Sequence, residues 1–158
     1  MAGRAVVQKI VSGGQTGVDR AALDIALECG LACGGWCPKG RKAEDGLIDA
    51  RYPLRETPSG AYEQRTEWNV RDSDGTLVLT RGPVLGGTAD TVAFATRSHK
   101  PCLIIDLDQP AKVEASRTWV SEHQIRTLNV AGPRESKSPG IYEQAMAFLH
   151  QLVGAQQP

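Results

Sequence analysis

Residues 13–17, Gly-Gly-Gln-Thr-Gly, have the composition of a turn that can receive an anion. Glycines let backbone N–H groups approach an oxyanion, and a helix beginning just beyond them adds the partial positive charge of its N-terminus. A second stretch of this kind, Gly86-Gly87-Thr88, follows Arg81 and Gly82. A third holds Gly132, Arg134, Ser136 and Lys137, and Lys39 and Arg41 stand together in a fourth. A guanidinium offers a planar fork to two phosphate oxygens, and a lysine adds a point charge. One glycine turn is weak evidence, because a ligand-free turn between strand and helix has the same composition. Several glycine-rich or basic loops at one edge of a sheet would point to a phosphorylated anion.

Bond-breaking chemistry finds less support. Ser12 precedes two glycines but lacks the G-x-S-x-G elbow of a nucleophile. Gly82 to Thr88 comes nearest to the G-x-x-x-x-G-K-[ST] phosphate loop, yet Thr88 stands where the lysine is required. The first turn also lacks G-x-G-x-x-G. His99, His123 and His150 are scattered and read as surface residues. Cys29, Cys33 and Cys37 recur every fourth residue, which matches no usual zinc spacing, and Cys102 opens an apolar run. No independent metal site is expected.

The elements that must position these loops follow from periodicity. Val6, Val7, Ile10 and Val11 read as a strand, and Val18, Ala22, Ile25 and Cys29 as one face of a helix that Gly30 closes. Leu31 to Trp36 reads as a second strand. Residues 38–74 show little period beyond one or two helical turns over 62–69, and a connection this long suggests a flap over the ligand. Residues 76–80, 102–107 and 127–130 read as buried strands. Helices are expected from Thr88, with Thr91, Val92, Ala95 and Ser98 inward, over 112–122, and over 141–153. A frayed tail is expected over 155–158. Short, apolar, non-alternating strands separated by helices predict one α/β domain over 1–154: a Rossmann-like parallel sheet with helices on both faces. Right-handed crossovers then gather every loop after a strand at one sheet edge, where such folds bind ligands.

Composition narrows the partners. The chain has 158 residues, 41% hydrophobic and 23% charged, enough for one domain with a real core. Eighteen basic and eighteen acidic residues cancel, which disfavours nonspecific nucleic-acid binding and polybasic membrane contact. No apolar run approaches a membrane span, and the first residues lack a signal peptide's apolar segment, so a cytoplasmic location is expected.

With the loops in view, the chain resembles the molybdenum-cofactor carrier family. That family lies within the SLOG superfamily of Rossmann-like proteins, which also holds the lonely-guy phosphoribohydrolases once called lysine decarboxylases. The resemblance rests on residues 13–20 (Gly-Gly-Gln-Thr-Gly-Val-Asp-Arg), 37–41 (Cys-Pro-Lys-Gly-Arg), Arg81-Gly82, 86–88, and 129–136 (Asn-Val-Ala-Gly-Pro-Arg-Glu-Ser). It implies a homo-oligomer, a tetramer, that holds a phosphorylated pterin carrying molybdenum (molybdopterin) and serves molybdoenzymes. The implied ligand-binding residues are Gly13, Gly14, Gln15, Thr16, Gly17, Asp19, Arg20, Lys39, Arg41, Arg81, Gly86, Gly87, Thr88, Arg134, Ser136 and Lys137. Hydrolytic relatives carry Pro-Gly-Gly-x-Gly-Thr-x-x-Glu; here Thr91 falls at the glutamate's place and Asp90 one position early. One helical position turns a side chain by about 100°. A non-catalytic carrier is therefore the leading expectation. A nucleotide-sensing module is the alternative, and a nucleoside monophosphate phosphoribohydrolase using Asp90 or Glu44 ranks below both.

Overall fold

The computed structural model describes residues 6–110 and 112–154; the expected tail at 155–158 lies outside them. The chain runs β1 (Lys9–Val11), α1 (Val18–Cys29), β2 (Ala32–Gly34), β3 (Trp36–Cys37), β4 (Lys42–Ala43), β5 (Gly46–Leu47), β6 (Arg55–Glu56), α2 (Tyr62–Arg71), β7 (Gly75–Thr80), α3 (Gly86–Arg97), β8 (Cys102–Asp106), α4 (Val113–Glu122), β9 (Thr127–Ala131) and α5 (Ile141–Leu149), with a π-helical turn at His150–Gly154. The main sheet has the order β2-β1-β9-β7-β8, and every pairing in it is parallel. This is the α/β, Rossmann-like architecture. Among the described residues no helix is long and apolar enough to cross a membrane.

The central strands carry the core. All six residues of β7 are buried, as are Leu128, Asn129 and Val130 of β9. Leu77 and Leu79 join Ile10, Leu128 and Val130 in one cluster with Val18, Ala22 and Ile25 of α1, Val113 and Val120 of α4, and Ile141, Ala145 and Leu149 of α5. Strand alternation turns Thr76, Val78 and Thr80 to the opposite face, where α3 packs on β7 and β8 and α2 packs on α3. The α1 helix ends as its sequence foretold: Gly30 is left-handed, with φ 72° and ψ 21°.

Several elements differ from the sequence reading. The expected strand over 31–36 is broken at Gly35, whose φ is 122°; Trp36–Cys37 leaves the main sheet and pairs with Arg55–Glu56. The α3 helix begins two residues before Thr88, and Ser98, expected to face inward, is exposed. The 62–69 segment is a ten-residue helix extending to Arg71.

The long 38–74 connection has two parts with separate anchors. Leu23, Cys37, Ile48, Tyr52 and Leu54 form a second small core against α1. Arg41 ties this part together by donating to the carbonyls of Ile48, Asp49, Tyr52 and Leu54, at 2.8–3.3 Å. Asp24 of α1 fastens it from below, accepting from the hydroxyls of both Tyr52 and Tyr142 at 2.5 Å. The other part, α2, is fixed by Asn69, which accepts from the Trp36 amide at 2.8 Å and donates to its carbonyl at 3.0 Å.

Candidate functional site

A cavity of about 620 Å³ opens where the loops after β1, β7 and β9 converge, with α2 as its side wall. These three strands are neighbours in the sheet, and the connections after β1 and β7 leave in opposite directions, to β2 and to β8. Such a divergence opens a crevice at the carboxyl ends of the strands.

The first glycine turn meets the cavity through Gly13, Gln15 and Asp19, but the amides of Gly14, Gln15 and Thr16 are in use. The amide of Gly14 donates to Ser12 Oγ at 3.4 Å, that of Gln15 to Asp19 Oδ2 at 3.2 Å, and that of Thr16 to Gln15 Oε1 at 3.1 Å. The Val18 amide donates to the Pro133 carbonyl at 3.3 Å. The protein's own carboxylate, Asp19, thus sits in the turn at the start of α1.

Asp19 is 6% exposed. Its burial raises the carboxyl's pKa, opposed by the charge of Arg65, the Gln15 amide and the charge of Arg20; Arg65 Nη1 lies 3.9 Å away. A raised folded-state pKa means that the native chain holds this proton to higher pH than the unfolded chain does. The stability contributed by Asp19 is therefore greatest in acid and declines as pH rises from about 4. Asp19→Asn keeps an acceptor for the Gln15 amide and removes the titration. In urea unfolding from pH 4 to 7, wild type should lose stability relative to Asp19→Asn as pH rises; a difference constant with pH would refute this assignment.

The second glycine turn is different. Leu85 occupies the N-cap of α3 and provides no side-chain cap, and the first turn holds no acidic residue. A Cβ placed on Gly86 or Gly87 would meet nothing within 4 Å. The amides of Gly86, Gly87 and Thr88 begin a twelve-residue helix at the cavity wall, where intrahelical partners for them do not exist. Thr91 is buried, and its hydroxyl donates to the Gly87 carbonyl at 3.2 Å.

Among the described residues, four cationic side chains line the cavity, Arg65, Arg81, Arg134 and Lys137, against three acidic ones, Asp19, Glu63 and Asp90. Arg81 also braces two loops, donating through Nε to Asp108 at 3.2 Å and through Nη1 to the Pro139 carbonyl at 2.7 Å. Arg134 stands 5.7 Å from the centroid of Tyr62.

Of the residues named from sequence, the cavity gathers Gly13, Gln15, Asp19, Arg81, Gly86, Gly87, Thr88, Arg134 and Lys137. The others lie behind or beside it. Gly14 passes under Ile48 and Leu54. Gly17 precedes α1 with φ 77°. Thr16 Oγ1 donates to Glu44 at 2.8 Å, and the Ser136 amide reaches the same carboxylate at 3.4 Å. Arg20 spans the Gly14 carbonyl and Asp45, each at 3.0 Å. Lys39 is exposed, and Arg41 is spent on its four carbonyls. Glu44, the other acid considered for hydrolysis, does not line the cavity. Slight burial pushes its pKa up, but hydrogen bonds from Ser136 and Thr16 and the charge of Arg134 outweigh that and hold it below the ordinary carboxylate range.

Sequence reasoning set a flap over 38–74 beside the ligand but named none of the residues of its α2 wall. Tyr62, Arg65, Thr66 and Asn69 all line the cavity, and their spacing of three and four residues places them on one helical face. Arg65 is the most engaged of them, donating to the Gly13 carbonyl at 2.8 Å and to Thr66 Oγ1 at 3.2 Å. That polar periodicity was the available signal; a search for apolar periodicity passes over it.

Residues 10–153 match the model of the circularly permutated YpsA SLOG family. Among solved structures, the chain is similar to the crystal structure of a "Putative molybdenum carrier protein" from Syntrophus aciditrophicus SB: 47% identity over 96% of this chain and 98% of that one, with a TM-score of 0.92. A search of the curated proteins finds no match.

Proposed function

This chain belongs to the circularly permutated YpsA SLOG family, and from that premise we propose that it is a non-catalytic carrier of a phosphorylated anionic ligand, the pterin phosphate of a molybdenum cofactor. The observation that carries the reading is the uncapped glycine start of α3 on the wall of a cavity lined by four cationic side chains. Helix N-termini of this kind bind phosphate through backbone amides and the helix dipole. In this reading Gly86, Gly87 and Thr88 hold the phosphate, while Arg81, Arg134 and Lys137 add charge. Gln15, Asp19 and Asn129 offer polar groups to the edge of a heterocycle. Gly13, Gly14, Thr16, Gly17, Arg20, Lys39, Arg41 and Ser136 act by holding the surrounding loops in place.

The choice of molybdenum cofactor as cargo is supported by the name of the 47% identical protein and by the cavity volume, which falls within the usual range of roughly 300–1,000 Å³ for small-molecule sites. The molybdenum arrives and leaves as part of the cargo, so the reading requires no metal ligand from the protein. Hydrolysis gains nothing from the geometry: Thr91, where hydrolytic relatives have glutamate, spends its hydroxyl on a backbone carbonyl. We further propose a homotetramer that delivers to molybdoenzymes, supported by the exposure of Ile104 on the edge strand β8 and of Leu85 beside the cavity.

Native mass spectrometry of gently purified protein tests the carrier reading. The expected result is a tetramer retaining a pterin-phosphate mass, with no base released when nucleoside monophosphates are added. A retained nucleotide in place of the pterin would favour the sensing module. Base release abolished by Asp90→Ala would overturn the non-catalytic assignment.

A further inference from the structure

The tip of the β4–β5 hairpin ties together two of the loops that meet at the cavity. Glu44 and Asp45 form it, between Lys42–Ala43 and Gly46–Leu47. Asp45 accepts from Arg20 Nη1 at 3.0 Å, and Arg20 in turn holds the Gly14 carbonyl. Glu44 is joined to the first glycine turn twice. Its amide donates to Gln15 Oε1 at 2.8 Å, and its carboxylate accepts from Thr16 Oγ1 at 2.8 Å. The same carboxylate oxygen accepts from the Ser136 amide at 3.4 Å, and Thr16 Oγ1 accepts from the Glu135 amide at 3.1 Å. Two consecutive amides of the loop after β9 therefore end on Glu44, one directly and one through a hydroxyl.

That loop carries cations of the cavity. Arg134 precedes the two anchored amides and Lys137 follows them, and both line the cavity. The amides of Lys137 and Ser138 donate to the Arg134 carbonyl at 3.1 and 3.2 Å, which closes 134–138 into one turn. Among the described residues the Arg134 side chain takes part in no ion pair, so its placement depends on Tyr62 beside it and on the backbone that bears it. Glu44 does not line the cavity. Slight burial raises its pKa; the hydrogen bonds from Ser136 and Thr16, and then the charge of Arg134, bring it below the ordinary range.

We propose that Glu44 is a positioning residue for ligand binding: through Thr16, Glu135 and Ser136 it sets the turn that presents Arg134 to the anionic group of the ligand. A carboxylate suits this task, because one ionised oxygen can accept from two donors and such bonds are about twice as strong as neutral ones. Its charge opposes an incoming anion, so its contribution is geometry and not attraction. This inference rests on the proposed phosphate seat at α3, to which Arg134 adds charge.

Calorimetric titration of inorganic phosphate into the intact protein, with melting temperatures taken on the same samples, tests the role. Glu44→Gln removes the charge and keeps an acceptor for Thr16 and Ser136; Glu44→Ala removes both. Comparing the two variants with each other cancels the change in charge. Phosphate should bind Glu44→Gln at least as tightly as wild type. It should bind Glu44→Ala roughly three- to tenfold more weakly than Glu44→Gln, the scale of coupling within one hydrogen-bond network. With Arg134→Ala added to both variants, that ratio should fall towards one. Glu44 is exposed, so both single variants should melt within about 2 °C of wild type. Equal phosphate affinities in Glu44→Gln and Glu44→Ala would overturn the positioning role and leave the α3 seat standing. So would a weakened Glu44→Ala whose melting temperature collapses, since the loss would then be one of fold. A ratio that keeps its full size without Arg134 would overturn the route through that residue. No binding of phosphate by wild type would overturn the α3 seat as well.

Discussion

Gly17→Ala is expected to lower the melting temperature by on the order of 10 °C and to weaken anion binding with it. Two costs coincide at this position. Its backbone has φ 77° and ψ −129°, a region open in practice only to glycine, and holding another residue there costs about 1–3 kcal/mol. An added Cβ would also collide with the backbone of the loop after β9: with the Pro133 carbonyl oxygen, and with the Glu135 amide nitrogen at 2.8 Å. Overpacking of this sort costs about 1–3 kcal/mol more, and neither atom belongs to a flexible side chain that could swing away. The loop that must yield carries Arg134, so fold and site are damaged by one methyl group. Differential scanning calorimetry with and without phosphate checks both effects. An unchanged melting temperature would mean that the two loops are not packed as described.

The central strand β7 was legible because burial on both faces leaves a continuous apolar run, Leu77-Val78-Leu79; Leu103-Ile104-Ile105 reads as an equally buried strand, but it is the edge strand β8, in which only Ile105 is buried. Gly30 was legible as a cap because it follows the last residue of an apolar helical face. The break at Gly35 was not, because it depends on a close approach: an added Cβ would lie 2.5 Å from the Ser12 carbonyl oxygen, across the sheet edge. The α2 helix was underestimated because few of its residues are apolar. It is held by Asn69 on the Trp36 backbone and by Arg65 on Gly13, contacts with no local signature. The same limit applies to the site. The sequence marks Arg41, Arg81 and Arg134 alike as cations in loops, and only the fold shows that Arg41 is occupied by four carbonyls while Arg134 faces the cavity. Both glycine turns looked equally suited to an anion. Asp19 and Ser12 distinguish them, by taking up the donors of the first and leaving those of the second.

That difference yields the most discriminating variant. Gly87→Asp places a carboxylate in the first turn of α3, in space where a Cβ meets nothing within 4 Å. An acidic residue there complements the helix dipole and should stabilise the fold by about 0.3–1 kcal/mol. It should also take the place of an incoming anion, as Asp19 does at α1. Hydrogen bonds to charged groups are worth about 1.5–3 kcal/mol, which corresponds to a loss of roughly ten- to a hundredfold in affinity. Most damaging substitutions lower binding by harming the fold; this one is expected to raise stability and lower binding together. The direct measurement is a calorimetric titration of inorganic phosphate into wild type and Gly87→Asp, with melting temperatures recorded on the same samples. The account predicts phosphate binding in wild type, its loss in Gly87→Asp, and a melting temperature for the variant equal to or above that of wild type. Equal phosphate affinity in the two proteins would contradict the placement of the anion at the start of α3.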